Sequence, residues 1–299
     1  MTQRLEGIVV PMITPFTPDG DGLDVPALQG LVDRLVAGGV QGLIPNAGTS
    51  EFYHLDDAER RLEAEVVVER AAGRLPVIVG AGAVATRHAV QWAKHAESIG
   101  ATGLLIMPPY YSPAPKRAIL KHYAAVSDAV SIPIMLYNNP FVTGVLLGPD
   151  DIAQIVKVAN IGWIKLTTKV IEDIPVIIER IGNAIPIFEG WDTLALPSLL
   201  NGSSGLIAAP ANVMPELWVK LWHTAHIEKN LAEATALDRK VLPFIHYLIR
   251  EGIFLSALKH ISRMQGFPVG SVRPPIEEAN QEQIERVRQF AVELGALPQ

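Results

Sequence analysis

Ile161-Gly-Trp-Ile-Lys165-Leu-Thr-Thr168 is a short apolar run that carries a single charge. It is apolar on both faces rather than alternating, the pattern of a strand in a parallel sheet covered on both sides. Lys165 falls at the end of that strand. Burial there makes the ammonium expensive, because desolvation disfavours the charged form. An uncharged amine is a nucleophile, and a carbonyl is its natural partner. Lys165 is therefore a candidate Schiff-base lysine. The competing reading is a lysine that snorkels from a strand end to solvent.

Seven further runs of the same kind flank this one. With it they predict strands at 7–13, 42–45, 76–80, 103–107, 133–138, 162–166, 187–190 and 205–208. Helical patterns fill the gaps. The stretch 56–72 has Leu62, Val66 and Glu69–Arg70 at helical spacing. The stretch 86–99 opens on Thr86 as an expected N-cap and stops before Gly100. Asp150 and Asp151 stand where the first turn of another helix should begin, a favourable place for negative charge. Eight strand–helix units in the first 210 residues predict an α/β fold, a (β/α)8 TIM barrel, in preference to a doubly wound sheet. Residues 211–299 carry only helical pattern, with expected breaks at Pro243, Gly252 and 266–275. They are read as a C-terminal helical extension packed on the barrel.

Composition narrows the classes. Of 299 residues, 49% are hydrophobic and 19% charged, enough apolar material for a large core. The net charge is −6 and no Lys/Arg-rich run occurs, which argues against nucleic acid and anionic membrane as partners. The absence of cysteine excludes disulfides, thiolate metal sites and a Cys nucleophile. The N-terminus lacks the apolar region of a signal peptide, and no run approaches the ~20 residues of a membrane span. A soluble, cytoplasmic protein is expected.

In a barrel of this kind the chemistry sits at the C-terminal ends of the strands. Polar residues gather there: 46–51, Tyr110–Tyr111, Tyr137–Asn138, Lys165 and Glu189–Gly190. Tyr137 ends its strand one unit before Lys165, where a phenol can shuttle protons around an imine. A core tyrosine with a satisfied hydroxyl is the plainer alternative. Ala47-Gly48-Thr49-Ser50-Glu51 offers small residues, hydroxyls and approachable backbone N–H groups, which suit a carboxylate. Gly80-Ala-Gly82-Ala-Val-Ala85 looks like a dinucleotide fingerprint. The next strand, however, ends without the acidic residue such a site needs, so a tight strand-to-helix turn is the better reading. His223 and His226 are spaced i, i+3, but no third metal ligand stands out. No nucleophile-elbow or phosphate-loop pattern occurs. No metal and no cofactor are expected.

Taken together, these residues resemble the dihydrodipicolinate synthase / N-acetylneuraminate lyase family of class I, lysine-dependent barrel enzymes. The resemblance runs from about Gly7 to the C-terminus. It rests on Pro76-Val-Ile-Val-Gly-Ala-Gly82 with Lys94-His-Ala-Glu97, Pro108-Pro-Tyr-Tyr111, Tyr137-Asn-Asn-Pro140, Ile164-Lys165, and Gly202-Ser-Ser-Gly205 with Asn212 and Pro215. It implies that Lys165 forms an imine with a 2-keto acid such as pyruvate, with Tyr137 as proton shuttle. Thr49 and the neighbouring amides of Gly48 and Ser50 would hold the keto-acid carboxylate. Tyr111 matches a tyrosine that completes a proton relay in a neighbouring subunit, and a homotetramer, a dimer of dimers, is expected.

Departures narrow the substrate. Val142 stands where the synthases carry an arginine that grips aspartate semialdehyde, and valine cannot donate a bidentate pair to a carboxylate. Gly48 replaces a hydroxyl residue of the relay, and Leu166 follows the lysine where many synthases have an acid. The run 48–55 is closer to that of keto-deoxy-sugar-acid dehydratases. The expectation is an aldolase or dehydratase acting on a hydroxylated 2-keto acid such as a 2-keto-3-deoxy sugar acid. Val142, Glu189, Gly190, Trp191, Asp192 and Ile207 are its candidate specificity residues. The alternatives are a dihydrodipicolinate synthase, a non-catalytic keto-acid-binding barrel, and a metal-dependent class II aldolase.

Overall fold

The computed structural model describes residues 5–298. The barrel runs β1 (Gly7–Pro11), α1 (Val25–Ala37), β2 (Gly42–Ile44), α2 (Asp57–Ala71), β3 (Ile78–Gly80), α3 (Thr86–Ser98), β4 (Gly103–Ile106) and α4 (Lys116–Ser127). It continues with β5 (Ile134–Asn138), short α5 (Pro140–Thr143), α6 (Pro149–Val158), β6 (Ile161–Leu166), α7 (Asp173–Ile181), β7 (Ile187–Glu189), α8 (Ala195–Leu200) and β8 (Gly205–Ile207). All paired strands are parallel, in the order β2-β1-β8-β7-β6-β5-β4-β3. The ring closes through a parallel bridge between Leu43 and Val77 and the hydrogen bond Gly80 N to Pro45 O, 3.0 Å. This is the predicted (β/α)8 barrel, with every strand within two residues of its expected bounds.

The strands sort their side chains by parity. Val9, Ile44, Ile78, Leu105, Met135, Phe188 and Ile207 form one buried cluster inside the ring. Their neighbours Ile8, Val10, Leu43, Val79, Leu104, Leu136, Ile164 and Leu206 pack outward against the helices. Lys165 pairs in register with Tyr137 and with Phe188, which are both lumenal. Strand alternation therefore sets Lys165 on the inner face, as the one charged residue on that strand.

Beyond β8 come α9 (Pro215–Trp222), α10 (Leu231–Glu251), α11 (Phe254–Met264) and α12 (Gln281–Glu293). α9 buries Trp218 and Leu221 and packs on β1. Pro243 does not break a helix, contrary to expectation; it lies inside α10. The missing N–H costs one backbone bond, but Val241, Phe244, Ile245 and Leu248 around it are buried and hold the helix together. The break at Gly252 does occur, with glycine in the left-handed conformation at φ 69°. The extension is tied to the strand-end loops. Arg273 forms a forked pair with Glu59, 2.6 and 2.7 Å, and Phe16 N donates to Val269 O, 3.1 Å. No helix among the described residues is long and apolar enough to cross a membrane.

Two helix details also correct the sequence reading. Thr86 is not the N-cap of α3; Ala85 holds that position without a side-chain bond, and the Thr86 hydroxyl lies 3.0 Å from His122 Nδ1. On α2 the expected inward Leu62 is 39% exposed, whereas Glu63 is wholly buried. The reason lies in its partners, described below.

Candidate active site

Lys165 is 6% exposed, and its Nζ sits 4.1 Å from the centre of the Tyr137 ring. It makes no hydrogen bond or ion pair with any described residue. A buried amine with no partner is costly unless something else is to occupy its protons or lone pair. Space for it is made from the next strand. A Cβ on Gly190 would come within 2.7 Å of Lys165 Cε and 2.4 Å of Thr167 Oγ1. Gly190 therefore serves by having no side chain, and its own N–H is taken by Leu166 O at 2.6 Å.

Tyr137 is held by Asn139, to which the sequence pattern assigns no role. Asn139 Nδ2 donates to the Tyr137 hydroxyl oxygen, 2.8 Å, while Phe141 N donates to Asn139 Oδ1, 3.1 Å. The second bond fixes which way the amide faces. The phenol oxygen thus accepts, and its own proton stays available for transfer. Asn138 clamps the following segment through Nδ2 to Leu147 O, 2.7 Å, and Leu147 N to Oδ1, 3.2 Å. The Asn-Asn-Pro run at a strand end was the available signal, since Asn before Pro commonly caps a turn. Thr167 was also missed. Its hydroxyl is buried without a hydrogen-bond partner and lies beside Gly190.

Two carboxyls share this neighbourhood. Burial pushes Glu189 up to about 8, against the N–H groups of Trp191 and Gly190 and the Lys165 charge, with Asp192 pushing it further. Burial likewise pushes Asp192 up to about 7, against Lys165 and the Ala209 N–H. Such groups exchange protons near neutral pH and can both donate to and accept from hydroxyls. Trp191 packs against Phe141 with ring centres 5.3 Å apart and planes tilted by 43°, and Lys169 Nζ is 4.0 Å from the Trp191 ring centre. Ile207, at the end of β8, belongs to the same interior cluster as Tyr137.

The loop after β2 turns through Asn46 and Glu51, both with φ 55°. Ser50 differs from its expected role: it is buried, and its hydroxyl accepts from Ala47 N, 3.1 Å, and donates to Met12 O, 2.8 Å. Its own N–H goes to Ala47 O, 3.0 Å. With those donors consumed, Ser50 braces the loop rather than facing a ligand. Gly48 is exposed and Thr49 half-buried. Neither their backbone N–H groups nor the Thr49 hydroxyl has a partner among the described residues. Adjacent free N–H groups of this kind form an anion cradle.

The remaining expected residues lie outside this cluster. Tyr111 is 93% exposed with φ 74°, and Val142 on α5 is 55% exposed. His223 and His226 lie on a π-helical turn. His223 Nδ1 is 3.1 Å from Glu228 Oε1, and His226 stacks on Trp222. Among the described residues no group of three or more His, Asp or Glu could hold a metal ion.

The model of the Dihydrodipicolinate synthetase family matches residues 4–293. The chain belongs to that family. A 4-hydroxy-tetrahydrodipicolinate synthase of Methanopyrus kandleri is 33% identical over 99% of this chain and 98% of its own length. A protein of Escherichia coli named "probable 2-dehydro-3-deoxy-D-pentonate aldolase" is also 33% identical, over 99% of both chains. The crystal structure of the dihydrodipicolinate synthase from Aquifex aeolicus superposes with a TM-score of 0.91 at 30% identity, covering 98% of this chain and all of the other. Within the dihydrodipicolinate synthetase family the present chain is an enzyme, a class I, lysine-dependent lyase.

Proposed function

We propose that the chain is a Schiff-base lyase, an aldolase or dehydratase, for a hydroxylated 2-keto acid such as a 2-keto-3-deoxy sugar acid. The observation that carries this reading is the unpaired amine of Lys165, buried inside the ring 4.1 Å from the Tyr137 ring centre. Lys165 Nζ attacks C2 of the keto acid. Tyr137 protonates the departing carbinolamine oxygen, and water leaves to give the protonated imine. That imine draws electrons from the C3–C4 bond, which allows retro-aldol cleavage, and it acidifies C3–H, which allows loss of a C4 hydroxyl. The Gly48 and Thr49 amides with the Thr49 hydroxyl receive the C1 carboxylate. The distal hydroxyls meet Glu189 and Asp192, whose raised proton affinities suit neutral polar groups better than a second carboxylate. Trp191 and Ile207 bound the same end of the pocket.

A synthase of dihydrodipicolinate type is the second reading, favoured by the name of the Methanopyrus relative. Val142 weighs against it, because a valine gives no hydrogen bond to the carboxylate of aspartate semialdehyde. Tyr111 is so exposed that in a lone chain it serves no pocket. In the proposed homotetramer it enters a neighbouring site, where Gly48 supplies no hydroxyl to link it to Tyr137. Borohydride reduction in the presence of pyruvate tests the central step. The expected product carries the pyruvate mass covalently on Lys165; an unmodified lysine rejects the imine. Incubation with 2-keto-3-deoxy sugar acids, with products identified by mass, then separates aldehyde release from water loss. Efficient condensation of pyruvate with aspartate semialdehyde would favour the synthase.

A further inference from the structure

Glu63 on α2 has no exposed surface and no step in the reaction above. Its Oε2 accepts the Asn46 N–H at 3.0 Å, and its Oε1 lies 2.6 Å from Thr14 Oγ1. The same Thr14 oxygen lies 2.7 Å from the carbonyl oxygen of Ser50. A hydroxyl has one proton to donate, yet Thr14 stands between two acceptors, each at O–H···O distance. Were Glu63 ionised, one of these buried contacts would set two oxygens together with no proton between them. With the proton on Glu63 Oε1, the chain runs from Glu63 to Thr14 to the Ser50 carbonyl. Oε2 still accepts from Asn46, so every group is satisfied.

The two ends of this chain bracket the loop after β2. Asn46 opens the loop, Ser50 closes it, and the unpartnered amides of Gly48 and Thr49 lie between them. We propose that Glu63 is a positioning residue: a buried carboxylic acid whose proton, relayed through Thr14, holds the Ser50 carbonyl and thereby shapes the cradle for the keto-acid carboxylate. This rests on the Schiff-base reading and deepens it. The charged groups that face Glu63 are Arg60 on its own helix and Lys259 from α11. Arg60 stacks on Trp92, 4.3 Å, and Lys259 is 2.8 Å from Glu51 in the loop itself. Burial lifts Glu63 to about 7, against the Thr14 and Asn46 hydrogen bonds and those two cations. Loss of the proton leaves the Ser50 carbonyl without its donor and sets a negative charge beneath an anion site.

Glu63→Gln keeps a donor for Thr14 and an acceptor for Asn46 but cannot ionise. Glu63→Leu removes both. The measurement is the pyruvate concentration for half-maximal borohydride trapping at Lys165, taken between about pH 6 and pH 9 on the full chain. The wild-type to Gln ratio cancels the pH dependence of imine formation itself. Gln is expected to match wild type at the acid end. Above about pH 7 the wild type should weaken relative to Gln by up to about tenfold per pH unit. Leu should bind about tenfold or more weakly at every pH, with a smaller change in the maximal rate. Should Leu fail to fold, the Gln profile still decides. A Gln variant whose profile runs parallel to wild type overturns the inference and leaves the Schiff base standing. Absence of any pyruvate adduct on wild-type Lys165 overturns both.

Discussion

Two lysines lie buried among the described residues, Lys165 at the end of β6 and Lys259 on α11, and their surroundings differ. Lys259 Nζ is 2.8 Å from Glu51, donates to Ser271 O at 2.8 Å, and lies 4.0 Å from the Phe16 ring centre. Burial pushes it down to about 8 while Glu51 pulls the other way. Among the described residues the Lys165 amine has no hydrogen-bond or ion-pair partner; its Nζ faces the Tyr137 ring, with two carboxyls of raised proton affinity within electrostatic reach. Burial therefore does not single out the reactive amine; the partner set does. A lysine whose protons are engaged by a carboxylate and a carbonyl is a clasp between the extension and a loop. A lysine with none is open to a carbonyl.

The sharpest way to break this comparison is to remove each amine. Lys165→Ala should lower turnover on the order of 10⁵-fold or more with an unchanged melting temperature. A variant with near-normal rate would end the assignment. Tyr137→Phe should slow turnover by roughly 10²–10⁴-fold, the scale of a lost acid–base group; steady-state rates on the best keto acid measure it, and unchanged rates remove the phenol from the mechanism. Lys259→Met leaves the Glu51 carboxylate buried without its lysine, holding only the Arg273 N–H at 2.9 Å and His54 at 3.6 Å among the described residues. It should cost about 3–5 kcal/mol in denaturant unfolding, while folded protein still traps pyruvate on Lys165. Gly190→Ala presses a methyl onto Lys165 Cε. Turnover should fall about 10²-fold through misplacement of the amine, and a fully active alanine variant would mean that the lysine has more room than the geometry allows.

The smallest effect concerns pH. Burial raises Glu63, Glu189 and Asp192 to about 7, 8 and 7 from ordinary values of 4.5, 4.5 and 3.8. Between those limits the folded chain keeps protons that the unfolded chain has released. The stability these three groups contribute should therefore be greatest near pH 4 and fall as pH rises toward about 8, offset in part by His122, which burial pushes down to about 4. Melting temperatures across that window should decline, and less steeply in Glu189→Gln. An identical slope would mean that Glu189 titrates as it does in the unfolded chain.

Much of this was legible in the residues alone. Short runs apolar on both faces, repeated eight times between helical stretches, dictate a closed parallel sheet, because only helices on the outside and packed side chains on the inside can bury such strands. Lys165 and Tyr137 stood out because a polar residue ending an apolar strand has few structural reasons to be there. Glu63 did not. Helical spacing assigns apolar residues inward, so Leu62 is expected inside and nothing in the pattern singles out Glu63. Glu63 is buried instead because Thr14 and the Asn46 N–H, distant in sequence, supply the hydrogen bonds that make a buried carboxyl tolerable. Ser50 was misplaced for a related reason: a hydroxyl in a small-residue loop looks available until Ala47 N and Met12 O are seen to occupy it.

Local pattern and chemistry by themselves determined the barrel, the strand ends as the place for reaction, and the amine and phenol that stand there. Both depend on short-range periodicity, which is written along the chain. Only the tertiary structure decided which polar groups are already spent on one another and which are left free. That depends on distances between strand ends that no spacing encodes: the 4.1 Å from amine to ring, the room opened by Gly190, and the 2.6 Å between Glu63 Oε1 and Thr14 Oγ1.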